Sequence, residues 1–121
     1  MGTPRLVLGT IRAMIGLGAW LAPDLTVKIF GIEPEKSDRF VGRLFGAREL
    51  ALAATLLSAP PAAVGRVAAV GVAVDAFDSL AGFDERRRGN LSTRATLLGP
   101  VGALGFVALG LLVARSAPNE A

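Results

Sequence analysis

The chain contains no cysteine, no histidine and no tyrosine, and it has a single tryptophan. Without cysteine it has no disulfide, no thiol nucleophile and no thiolate metal ligand, and without histidine it has no imidazole base or ligand. These absences remove the parts on which most enzyme mechanisms depend. We therefore predict that the protein is not an enzyme and holds no metal and no cofactor.

Charge is also scarce, since only 19% of the 121 residues are charged whereas 52% are hydrophobic, and the mean hydropathy is +0.54. This composition is more apolar than that of most soluble domains and predicts a membrane protein, with a soluble Ala-rich helical bundle as the alternative. The pI of about 10.6 reflects an excess of arginine beside or within apolar segments. That placement excludes a nucleic-acid groove and favours contact with anionic lipids.

Four apolar stretches, each near the ~20 residues that cross ~30 Å of hydrocarbon, divide the sequence. They are residues 4–22, 40–58, 62–83 and 94–113. We predict an all-α fold, a single membrane domain over 1–121 that forms a four-transmembrane-helix bundle. Because Arg12 interrupts the first stretch, we expect a retained helix there and not a cleaved signal peptide.

Helix punctuation supports these borders. The sequence places Pro23 after the first helix, Ser37 and Asp38 as N-cap candidates for the second, Pro60 and Pro61 in the turn before the third, and Ser92 and Thr93 before the fourth. Leu25, Ile29 and Phe30 lie at helical spacing and predict a short amphipathic interfacial segment between helices 1 and 2, which ends at Pro34. Pro100 predicts a kink in the fourth helix.

The distribution of basic residues predicts an orientation. The first and third connections carry seven Lys and Arg, against three at the termini and in the second connection, which places the first and third connections in the cytoplasm. The seven are Lys28, Lys36, Arg39, Arg86, Arg87, Arg88 and Arg94. We expect a bacterial inner (cytoplasmic) membrane protein, with anionic lipids near Arg86, Arg87 and Arg88, and we expect homo-oligomers.

Six ionisable residues lie inside the apolar stretches, and their formal charges sum to zero. They are Arg12, Arg43, Arg48, Glu49, Asp75 and Asp78. Each costs roughly 2.5 to 3.5 kcal/mol at the centre of a lipid-facing helix, so we expect a mutually paired network inside the bundle. This network is the candidate functional site.

Helix faces and depths predict the partners within this network. Asp75 and Asp78 share one stripe of the third helix with Gly71 and Gly82, and Gly42 and Gly46 form a GxxxG pair that predicts close helix contact in the second. Counting 1.5 Å per residue from the cytoplasmic ends predicts two groups. Arg43 pairs with Asp78 in an outer layer, and a tetrad at mid-depth joins Arg12, Arg48, Glu49 and Asp75.

Three motifs carry a resemblance to a known family. They are Arg12 between glycines with Phe30-Gly31 further on, the run RFVGRLFGARELAL from Arg39 to Leu52, and Asp75-Ala-Phe-Asp78. The chain resembles an uncharacterised family of small bacterial four-helix integral membrane proteins, a domain of unknown function, and more distantly DoxX-like proteins. The resemblance implies an inner-membrane four-helix fold with the same six polar residues, and it implies no activity.

Three interpretations of function remain open. The first is a structural or accessory membrane protein whose paired charges hold thin helices together. The second is a proton- or ion-coupled small transporter or channel that uses the buried carboxylates. The third, a membrane enzyme, requires a substrate cleft. With one tryptophan and no tyrosine, we expect no aromatic lining of the kind that binds lipophilic cations.

Overall fold

The computed structural model describes residues 1–32 and 36–119, and these are helical almost throughout. The α-helices are α1 (Thr3–Leu21), α2 (Pro23–Ile29), α3 (Lys36–Ser58), α4 (Val64–Arg87), α5 (Thr93–Leu98) and α6 (Pro100–Ser116), and single 3₁₀ turns cover Pro61–Ala63 and Ala117–Asn119. No strand occurs in the described ranges, so the all-α prediction is confirmed. Pro34, the predicted end of the amphipathic segment, lies outside the described residues.

The helix boundaries follow the punctuation of the sequence. Pro23 occupies the first turn of α2, where a missing N–H costs nothing, and the Ser92 hydroxyl accepts a hydrogen bond from the N–H of Ala95 at 3.1 Å to cap α5. The predicted N-cap Asp38 instead lies in the first turn of α3, which begins earlier than expected. Gly99 separates α5 from α6, so Pro100 interrupts the fourth helix as predicted.

The long helices form two closely packed pairs, because α1 packs along α3 and α4 packs along α6. In the first pair Gly16 and Gly46 face each other. A Cβ atom on Gly16 would lie 2.9 Å from the carbonyl oxygen of Gly46, and one on Gly46 would lie 2.8 Å from that of Gly16. The close contact predicted at Gly46 is therefore present, and only a hydrogen side chain fits at this crossing.

The second pair also depends on small residues. A Cβ on Gly82 of α4 would lie 2.6 Å from the Pro100 ring, and one on Gly110 of α6 would lie 2.6 Å from the Val72 side chain. The two pairs touch each other much less, and α3 and α4 diverge after the short turn that joins them. This divergence leaves space between the pairs.

The bundle is tightly packed at one end only. The closed end is the end at the Pro61–Ala63 turn, where Leu8, Leu56, Val64, Ala68 and Val113 form the apolar core. Arg5 is buried there and donates to the carbonyl oxygens of Leu56 at 2.8 Å and Ala59 at 2.5 Å. The opposite end, the open end, carries α2 and the connection between α4 and α5.

One helical stretch among the described residues, Thr93–Ser116, is long and apolar enough to pass a length-and-hydropathy test for a membrane span. This stretch comprises α5 and α6. The other long helices carry the internal charges, which lower their mean hydropathy.

Candidate functional site

Arg12 lies at the centre of the bundle between two carboxylates. Its Nη1 donates to Glu49 Oε2 at 2.8 Å and to Asp75 Oδ1 at 3.2 Å, and its Nη2 donates to Asp75 Oδ2. All three residues are only 2% exposed. We call Arg12, Glu49 and Asp75 the buried triad, and it joins α1, α3 and α4 at mid-depth.

The sequence around the triad leaves room for the guanidinium. A Cβ on Gly71, one turn before Asp75 on α4, would lie 3.3 Å from Arg12 Nη2. From α6, the ring of Phe106 lies 4.9 Å from the Arg12 guanidinium carbon, within the range of a cation-π contact. The helices α3, α4 and α6 therefore all contact the positive charge that α1 carries.

A second ion pair lies beside the triad and is partly exposed. Arg48 donates to Asp78 through Nη2 to Oδ2 at 2.7 Å and through Nη1 to Oδ1 at 3.3 Å. The side chains are 41% and 34% exposed, and the Arg48 guanidinium lies 5.2 Å from the centre of the Phe45 ring. We call Arg48 and Asp78 the outer pair, and it bridges α3 and α4 where these helices have diverged.

The predicted pairing of Arg43 with Asp78 is wrong. Arg43 Nε donates to the carbonyl oxygen of Trp20 at 3.1 Å, and its guanidinium stacks over the Trp20 ring at 5.1 Å. Arg43 and Arg48 are five residues apart and hence about 140° apart around α3, so only one of them can face α4. Three members of the predicted tetrad are joined in the triad, whereas Arg48 pairs with Asp78 instead.

A cavity of about 560 Å³ lies between the two helix pairs on the open side of the triad. Its walls are mostly apolar side chains from α1, α2, α3, α5 and α6. Its charged lining consists of Arg48, Glu49, Asp75 and Asp78 on one side, with Asp38 nearer the start of α3. This volume is within the usual range for sites that bind small molecules.

Three phenylalanines line the cavity, which corrects the expectation of no aromatic lining. Phe30 and Phe45 meet edge to face with ring centres 6.5 Å apart, and Phe106 lies beside the triad. They come from α3, α6 and the residue that ends α2, so their proximity depends on the tertiary structure and not on sequence spacing.

Polar contacts fix the helices that cover the cavity at the open end. Arg94 Nε donates to the carbonyl oxygen of Ile29 at 2.9 Å, which ties the start of α5 to the end of α2. Arg39 forms an exposed ion pair with Asp24 at 3.0 Å, which ties α3 to α2. These two contacts hold α2 against α5 and α3 at the open end of the cavity.

Sequence reasoning missed one buried polar residue of the site, Ser79. Its hydroxyl lies 2.9 Å from the carbonyl oxygen of Asp75 and 3.1 Å from that of Pro100, so it links α4 to the start of α6. Ser79 follows Asp75 by four residues and therefore lies on the same helix face. This four-residue spacing from Asp75 could have identified Ser79 as a residue of the site from the sequence.

The described residues contain no cluster of three or more His, Cys, Asp or Glu that could hold a metal ion. Comparison with known proteins finds no matching family model, no matching curated protein and no matching solved structure. The resemblance to the bacterial four-helix family therefore gains no support from these comparisons.

Proposed function

We propose that this chain is an integral membrane protein in which α1, α3, α4 and the α5 and α6 stretch cross the bilayer. The support is an inverted distribution of polarity. On α1, Arg5 and Arg12 are buried while Leu6, Met14 and Leu17 are exposed. A water-soluble bundle normally buries such leucines and exposes such arginines, whereas a bilayer favours this arrangement.

Helix α4 repeats the pattern. Gly71, Asp75 and Ser79 face the interior, whereas Phe77 and Leu80 are exposed by 73% and 68%. At about 1.5 Å per residue, the 24 residues of α4 exceed the ~30 Å thickness of the hydrocarbon layer, and the 19 residues of α1 come close to it.

The open end faces the cytoplasm in this proposal, and the membrane is the bacterial inner membrane of the family that the chain resembles. Basic residues are concentrated at that end. Asp84 pairs with Arg87 at 2.6 Å and Arg88 at 2.9 Å, and the hydrogen bonds from Arg88 and then Arg87 hold the pKa of the Asp84 carboxyl below its usual value. Asp84 therefore stays ionised, which reduces the positive charge that this connection offers to anionic lipids.

Within the membrane, we assign the protein the binding of a small amphiphilic molecule in the cavity. The observation that carries this proposal is the cavity itself, with mostly apolar walls and a charged lining that includes Glu49 and Asp75 of the triad and both members of the outer pair. A purely packed bundle has few voids larger than a water molecule, so about 560 Å³ beside buried charges is unlike a core optimised for stability alone.

A structural role is the second candidate, and the buried triad favours it because Arg12 ties three helices together. The two candidates are compatible, since a charged cluster can hold the helices and also form one side of a site. Proton- or ion-coupled transport through the same carboxylates is a further step beyond binding.

Self-association is proposed because a second copy would cover the half-exposed outer pair at mid-depth.

Ligand binding is tested with the protein in nanodiscs of zwitterionic lipid, using 4-phenylbutan-1-ol as a neutral probe and empty nanodiscs as the blank. We expect saturable one-to-one binding by calorimetry. Ala103→Trp fills the cavity and should abolish it, whereas Ala108→Trp, on the exposed face of the same helix, should not. Absence of saturable binding beyond the blank, or equal binding by Ala103→Trp, contradicts the proposal.

A further inference from the structure

The charges beside the cavity do not balance. The outer pair is neutral because Arg48 and Asp78 neutralise each other, but the triad places one guanidinium between two carboxylates. With these five groups ionised, the triad and the outer pair together carry one excess negative charge, and the carboxyl of Asp38 also lines the cavity. The other long element at this depth, α6, contributes Phe106 and no cation.

One carboxylate oxygen beside the cavity accepts no hydrogen bond from the described residues. Glu49 Oε2 accepts from Arg12, but no described residue donates a hydrogen bond to Glu49 Oε1. Glu49 is 2% exposed and lines the cavity. A buried anionic oxygen without a donor is unfavourable by kilocalories per mole, so it marks a position that an incoming donor would fill.

The remaining walls define the rest of the occupant. Ile15, Val27 and Phe30 offer apolar surface toward the open end, and Phe45 with Phe106 offers ring faces beside the charges. Phe106 lies over the guanidinium of Arg12 and Phe45 over that of Arg48, and aromatic rings attract positive charge.

We propose that the ligand of this cavity is an amphiphile with one positive charge, an organic ammonium whose head lies at Glu49 and whose apolar body lies among the phenylalanines. The inference rests on the proposed binding function and adds the chemical class of the ligand. An ammonium supplies both the missing hydrogen-bond donor and the missing positive charge. An alcohol supplies only the donor, and a carboxylate adds to the excess charge.

Three probes of nearly equal shape separate these cases: 4-phenylbutylammonium, 4-phenylbutan-1-ol and 4-phenylbutanoate, each titrated into nanodiscs of zwitterionic lipid against empty nanodiscs. We expect the ammonium to bind at least tenfold more tightly than the alcohol, and the carboxylate to bind most weakly. Glu49→Gln should lower the ammonium affinity at least tenfold and lower the alcohol affinity much less, because a neutral amide oxygen still accepts a hydrogen bond from a hydroxyl. Asp84→Asn, which removes a negative charge at the exposed end of α4, should change neither.

Should Glu49→Gln fail to fold, Asp75→Asn removes the same net charge from the opposite helix and should reduce the preference for ammonium equally. If the alcohol binds in a manner sensitive to Ala103→Trp but the ammonium binds no more tightly, the binding function stands and the cationic ligand is wrong. If no probe shows binding sensitive to Ala103→Trp, both proposals are overturned. Equal ammonium affinity in Glu49→Gln and the unmodified protein also overturns the cationic assignment.

Discussion

The guanidinium of Arg12 on α1 donates hydrogen bonds from both terminal nitrogens to the carboxylate of Asp75 on α4, which lies 63 residues further along the sequence. The same group also reaches Glu49 on α3 at 2.8 Å. One side chain thereby joins the two helix pairs, which otherwise have few contacts with each other.

Replacing Arg12 by methionine should therefore destabilise the protein strongly. The substitution leaves two buried carboxylates facing each other without a cation, and breaking a buried ion pair in this way costs about 3 to 5 kcal/mol. Thermal unfolding in a fixed detergent measures the loss. Met14→Leu, on the exposed face of the same helix, is the matched control and should unfold as the unmodified protein does.

The triple variant Arg12→Met, Glu49→Gln, Asp75→Asn removes all three charges together. It should recover most of the stability that Arg12→Met loses, because no uncompensated charge remains buried. An Arg12→Met protein as stable as the unmodified one contradicts the central position given to this residue.

The crossing of α1 and α3 gives a second prediction. A Cβ on Gly46 would lie 2.8 Å from both the Gly16 carbonyl oxygen and the Trp20 nitrogen, and these backbone atoms cannot move aside without separating the helices. Gly46→Ala should therefore cost about 1 to 3 kcal/mol. The same unfolding assay measures the cost.

Gly105→Ala is the control for this substitution, since a Cβ on Gly105 meets nothing within 4 Å and the residue lies in α6. It should be neutral or stabilise by about 0.4 to 1 kcal/mol, because alanine loses less backbone entropy on folding. Equal effects of the two changes would show that helix propensity, and not the crossing, governs both.

The helices and the approximate position of the site could be predicted from the sequence for physical reasons. In the bilayer that we propose, long apolar runs have few alternatives to helix, and ionisable residues such as Arg12, Glu49 and Asp75 are favoured only where they face protein and one another. The rotation of each helix was less well determined. Arg43 and Arg48 lie about 140° apart around α3, so the rotation of this helix decides which of them meets Asp78. Counting residues along the helix gives the depth of each side chain but not this rotation.

The cavity could not be predicted from spacing at all. It exists because α1 pairs with α3 and α4 pairs with α6, so that the consecutive helices α3 and α4 diverge. Phe30, Phe45 and Phe106 come together only as a result of that pairing. Local periodicity specifies which face of a helix is apolar, and it does not specify which neighbour that face meets.

A double-mutant cycle distinguishes the predicted partner of Asp78 from the observed one. Arg48→Gln and Asp78→Asn should show a coupling energy of about 0.2 to 1 kcal/mol, as expected for a partly exposed pair. Arg43→Gln and Asp78→Asn should add without coupling, because Arg43 contacts Trp20 instead. Stronger coupling through Arg43 than through Arg48 would restore the pairing predicted from depth.

Ser79 gives the last prediction, because its single hydroxyl proton lies between two carbonyl oxygens beside the break that separates α5 from α6. The group lies 2.9 Å from the Asp75 oxygen and 3.1 Å from the Pro100 oxygen, in a position that is 3% exposed. Ser79→Ala should lower the free energy of unfolding by about 0.5 to 1.5 kcal/mol, the usual worth of a buried hydrogen bond.

The same change should also speed hydrogen exchange in the first turn of α6, since the α4 side chain that bonds to the start of α6 is lost. Ser58→Ala is the control, because the Ser58 hydroxyl is exposed and bonds only within its own helix, to the Ala54 oxygen at 2.6 Å. It should stay within about 0.5 kcal/mol of the unmodified protein. If the two alanine variants match in stability and in exchange, Ser79 does not link α4 to α6, and the contact between Gly82 and the Pro100 ring holds that junction alone.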